Sequence, residues 1–89
     1  MLAAAVEEPV DATPSQPRAA AAEVFVRWQG HLAAAFIADG HEPAAANGLA
    51  SLVIASVEGA VAMSRALQDI APFDQVTAQL LTAAAPPAR

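Results

Sequence analysis

A chain of 89 residues holds one small domain, and a domain of that size buries only a modest share of its surface. Four arginines, no lysine and nine acids leave a net charge of -5 with no basic stripe of the kind a phosphate backbone requires, so this chain is not expected to contact DNA by itself. Cysteine is absent, which excludes disulfide scaffolds and thiolate chemistry and suits a reducing compartment.

Met1 to about Glu8 reads as one or two helical turns stopped by Pro9; with no cap before it, it looks like the tail of a longer helix. The stretch MLAAAV has no basic flank and meets Glu7 and Glu8 too early for a signal peptide. Residues 9–17, PVDATPSQP, suit a surface connection, with Ser15 or Pro17 at the start of the next helix. That second helix is predicted over about 17–39, ending at Asp39 with Gly40 as its C-terminal glycine. Pro43 opens a third helix to about Leu67, and QDIAP breaks it. Pro72 and Asp74 begin the last helix, predicted over 73–84, and residues 85–89 read as a frayed tail. Strand patterns, repeats and phosphate-binding glycine loops are missing, so the fold class is all-α: an antiparallel helical bundle.

Helical spacing assigns the faces. On the second helix, Val24, Phe25, Trp28, Leu32, Ala35 and Phe36 form a wide apolar stripe, while Glu23, Arg27 and His31 mark the wet strip, Glu23 and Arg27 being a favourable i,i+4 pair. The last helix is amphipathic, with Phe73, Val76, Thr77, Leu80, Leu81 and Ala84 on one side. The third is apolar nearly all round. Leu49, Leu52, Val53, Val57, Ala60, Met63 and Leu67 occupy one arc, and Gly48, Ala55, Gly59, Ala62 and Ala66 make a smooth strip on another. Two interior glycines weaken a helix by about 1 kcal/mol each, which is easier to understand where another backbone approaches closely. The uncharged run 43–57 is 15 residues, short of the roughly 18 to 20 a membrane span needs, so the helix is expected at the centre of a bundle and the protein in the cytoplasm. Because 26 of the 50 apolar residues are alanine, the chain's own core is thin, and a second copy or sequence outside the chain is expected to complete it.

The run Leu49-Ala50-Ser51-Leu52-Val53-Ile54-Ala55-Ser56-Val57-Glu58-Gly59-Ala60, followed by Met63-Ser64-Arg65-Ala66, resembles the Glu-Gly-Ala to Ala-Arg helix of TetR/AcrR-type transcriptional regulators with an LmrA/YxaF-like C-terminal domain. Phe25-x-x-Trp28, the Ala-Asp39-Gly40 break and Pro72-Phe73-Asp74-x-Val76 stand in the order that family shows. The resemblance covers about residues 1–84. It implies the C-terminal portion of a regulator, with effector-binding and dimerisation helices over 18–84 and the helix-turn-helix outside this chain. The third and last helices would pair with a second copy, placing Leu52, Ala55, Gly59, Ala62, Met63, Phe73 and Leu80 at a dimer interface. Phe25, Trp28, Leu32 and Phe36 would line or back a pocket for a hydrophobic small molecule.

Plainer readings stand beside these. An aromatic stripe at helical spacing is also what an ordinary core requires. Glu58 reads first as the partner of Arg65 in a buried ion pair, within one helix or across a dimer, and second as a group that orients an effector or switches with protonation. Asp39, His41 and Glu42 crowd one loop without the frame a metal site needs, so no metal or cofactor is expected. No serine triad or carboxylate pair suggests catalysis. Two functions fit: the dimerisation and effector-sensing part of a TetR-type repressor, or a stand-alone helical interaction module with neither ligand nor DNA.

Overall fold

The computed structural model describes residues 16–88, so the expected helical remnant at 1–8 and most of the proline connection lie outside the described residues. Three helices follow in order, α1 (Gln16–Ala38), α2 (Pro43–Leu67) and α3 (Ala71–Ala83), with no strand among the described residues. The all-α expectation holds. Helix α1 starts at Gln16, so that Pro17 falls in the first turn, where a missing N–H costs nothing. Helix α3 likewise starts at Ala71, two residues before the predicted start, and takes Pro72 into its first turn.

The ends of the helices are set by local chemistry. At the end of α1 the amide of His41 donates to the Phe36 carbonyl at 3.0 Å and that of Gly40 to the Ile37 carbonyl at 3.0 Å, the paired bonds of a Schellman motif. Gly40 has φ 109°, which suits a residue without Cβ, and the rings of Phe36 and His41 meet edge to face at 5.5 Å across the turn. Helix α2 ends in the same way. The Gln68 amide donates to Arg65 and the Asp69 amide to Ser64, but here Gln68, with φ 54°, occupies the left-handed position. Asp69 then accepts the Ala71 amide at 2.9 Å and Ser64 accepts the Phe73 amide at 3.1 Å, so α3 begins on side chains from the turn and from α2.

Helix α2 is central: it packs against both α1 and α3, which do not touch each other. The contacts are built from small residues. Ala33 of α1 meets the fully buried Ala46 and Ala50 of α2, with Leu32 and Phe36 packed around them, while Ala60 and Pro72 are the buried residues on the side of α3. Alanine at the contact lets two helix axes approach closely, but it contributes little apolar burial. The cost is visible at the surface, where Trp28, Leu52, Met63, Leu67 and Ile70 stay at least 45% exposed.

Beyond α3 the described residues 85–88 are exposed, with Pro87 3.6 Å from where a Cβ on Gly40 would sit. One expectation is corrected. Helix α2, at 25 residues, is long and apolar enough to cross a membrane by length and composition alone, since its charges are too sparse to break the pattern. The central helix of a bundle meets the same description.

Candidate functional site

Where α1 and α2 run side by side they leave two adjoining hollows. One, of about 290 Å³, is lined by Trp28, His31 and Leu32 from α1 and by Val53, Ile54, Val57 and Glu58 from α2. The other, of about 320 Å³, is lined by Phe25 and Gln29 facing Ser51, Ile54, Ala55 and Glu58. Ile54 and Glu58 belong to both. Phe25 and Trp28, three residues apart on α1, sit edge to face at 5.8 Å and so connect the two sets of walls. Gln29 donates from Nε2 to the Ser51 hydroxyl at 2.8 Å, a polar tie between the helices.

Of the four residues expected to line a pocket, Trp28 and Leu32 share the first hollow and Phe25 lies in the second. Phe36 lies in neither: it packs on the alanine contact and closes the turn against His41. His31, read as part of the wet strip, lines the first hollow although it is exposed. The α2 walls, Val53, Ile54 and Val57, were not singled out, because periodicity within one helix does not say which part of it a neighbour will cover.

The side of α2 turned away from Ala46 and Ala50 is open, with Ala55 at its edge also lining the second hollow. Leu52, Ala55, Gly59, Ala62 and Met63 are all exposed, and a Cβ placed on Gly48 or Gly59 would meet nothing within 4 Å. None of the described residues therefore accounts for the two glycines. Phe73 and Leu80 differ from the rest of the expected interface in being half-buried on α3.

The expected buried pair of Glu58 and Arg65 is not formed within the chain. Both are exposed, and neither has an ion-pair partner among the described residues. Seven residues of helix set their Cα atoms about 10 Å apart along the axis, a span that the two side chains close only when both extend towards each other. Arg65 instead lines a hollow at the α2–α3 elbow with Ser64, Gln68, Asp69 and Phe73. Glu23 and Arg27 make no ion pair either; they flank Val26 on the exposed side of α1. Around the α1–α2 turn, Asp39, His41 and Glu42 share a recess with Pro86 and Pro87, and His41 Nε2 is buried without a hydrogen-bond partner. No cluster of three metal-ligating side chains occurs among the described residues.

The sequence profile of the C-terminal domain of LmrA/YxaF-like transcriptional regulators matches residues 1–79. Two curated relatives, both described as uncharacterized HTH-type transcriptional regulators, come from Mycobacterium tuberculosis strains H37Rv and CDC 1551; each is 45% identical over 62 residues, covering 70% of this chain. The chain spans about a third of the length of these relatives, 32% of each. No solved structure gives a significant match. With a family match across most of its length, the chain belongs to the TetR-type transcriptional regulators with an LmrA/YxaF-like C-terminal domain.

Proposed function

We propose that this chain is the dimerisation and effector-sensing part of a cytoplasmic transcriptional repressor, in which contact with operator DNA is made by a helix-turn-helix outside these residues. The observation that carries this reading is the open face of α2: a smooth strip of Ala55, Gly59 and Ala62 bordered by Leu52 and Met63, exposed along a helix that is otherwise the centre of the fold. Small residues let the backbone of a second copy approach, and the flanking Leu52 and Met63 supply the apolar area that such a contact buries. The hollows between α1 and α2 adjoin this face, the second reaching Ala55 of the strip itself, so an occupant there would bear on the element that meets the partner. The acidic charge, -5 overall, keeps these helices themselves away from phosphate backbones.

Sedimentation equilibrium of the purified chain tests the association. A dimer is expected at micromolar concentrations. A well-folded monomer persisting to high micromolar concentration would overturn the dimer reading and, with it, the assignment of the open face.

A further inference from the structure

The walls between α1 and α2 are chemically one-sided. Trp28, Leu32, Val53, Ile54 and Val57 are apolar, His31 brings an exposed imidazole to the first hollow, and Glu58 is the single carboxylate, shared by both. No arginine lines either hollow, and the chain contains no lysine. The arginine that the sequence offered as the partner of Glu58 turns to the α2–α3 elbow, and Gln29 and Ser51 spend a hydrogen bond on each other. An anion placed here would meet Glu58 with no permanently charged cation beside it, His31 being the one wall residue that can take up a proton. A neutral guest would strip water from a carboxylate that it cannot pair. A weakly hydrated organic cation avoids both penalties: its body lies against apolar walls, its charge faces the carboxylate, and the indole of Trp28 adds cation–π attraction.

We infer that the α1–α2 hollows take a lipophilic organic cation, with its aromatic or alkyl body against Trp28, Leu32 and Val57 and its positive centre at Glu58. The inference rests on the reading of these hollows as the effector site and adds the charge class of the effector. It gives Glu58 a role that a structural pairing with Arg65 would not: the carboxylate selects the ligand.

Three aryl probes test it on the full chain: the shape-matched ions tetraphenylphosphonium and tetraphenylborate, and neutral triphenylphosphine oxide, each able to place an aryl arm in the hollow. Trp28 is the only tryptophan, so its fluorescence reports occupancy directly. The phosphonium should quench it saturably and bind at least about tenfold more tightly than the borate, with the oxide in between. Glu58→Gln should reduce the cation-to-anion ratio to below about threefold with helix content unchanged. Glu23→Gln, which makes the same change in net charge away from the hollows, should leave the ratio as it was. Equal binding of all three probes, tighter borate binding, or an equal loss of preference in Glu23→Gln overturns the charge selection while the pocket stands. Absence of saturable quenching by any probe overturns the pocket and the selection together. If Glu58→Gln does not fold, the order of the probes on the unmodified chain and on Glu23→Gln still decides.

Discussion

Two residues, Gly40 and Gln68, hold the same kind of backbone position with opposite suitability. Each ends a helix in the left-handed region with Schellman bonds behind it, at φ 109° and φ 54° respectively. An L-residue in this region carries a steric cost of about 1–2 kcal/mol that glycine escapes. At Gly40 the space is not the obstacle, because a Cβ would only touch the flexible ring of Pro87 at 3.6 Å. Gly40→Ala should therefore lower stability by about 1–2 kcal/mol through backbone strain alone. Gln68→Gly should do the reverse, by about 0.5–1 kcal/mol after the entropy that glycine adds to the unfolded chain. Thermal melts of the two variants beside the parent chain check the pair; equal effects of the same sign would show that the turns, rather than the dihedral angles, set the response.

At the scale of the element, α2 raises the sharpest question, since an open face and two glycines coexist on one helix. Within the chain, Gly59 has free space around it, so a side chain there meets no internal obstacle and replaces the poorest helix former short of proline. Gly59→Leu is therefore expected to make the isolated helix more favourable by roughly 1 kcal/mol and, at the same time, to hold a second copy away. The predicted outcome is a monomer by sedimentation whose melting point lies below that of the parent dimer, because losing the second copy outweighs the gain in helix propensity. A variant that remains a dimer would show that the smooth strip is not where two copies meet. The helices themselves were legible: Pro43 at the start of α2 and the QDIAP break placed it at 43–67, and Gly40 ended α1 because a residue without Cβ takes the left-handed turn there without steric cost. What could not be read was which faces the neighbours cover. Trp28 and Phe36 share a stripe, yet one lines a hollow while the other packs on Ala46 and Ala50, because the pairing of α1 with α2 depends on both helices together. For the same reason the spacing of Glu58 and Arg65 suggested a shared seam but not that the two side chains reach different hollows.

For the whole molecule, a core whose buried apolar side chains, among the described residues of the helix contacts, are mainly alanines is the controlling fact. Alanine contacts position three helices but leave the large side chains half outside: Trp28 at 45%, Met63 at 52% and Leu67 at 63% exposure. Transferring that surface out of water contributes on the order of 25 cal/mol per Å², and in one copy of the chain much of it is not transferred. Folding and association are then coupled, as they are when a protomer completes its core against its partner. Coupling of this kind has a signature that a self-sufficient monomer lacks. Each tenfold rise in protein concentration favours the folded dimer by about 1.4 kcal/mol, and with an unfolding entropy of roughly 2.1 cal/mol/K per residue over two 89-residue chains, the midpoint should rise by roughly 4 °C. Calorimetric scans of the chain across a hundredfold range of concentration should accordingly show Tm climbing by roughly 8 °C, and Gly59→Leu should remove most of that slope by removing the second copy. A midpoint independent of concentration in the parent chain would mean that the alanine contacts suffice by themselves and that the open face of α2 is not needed to fold.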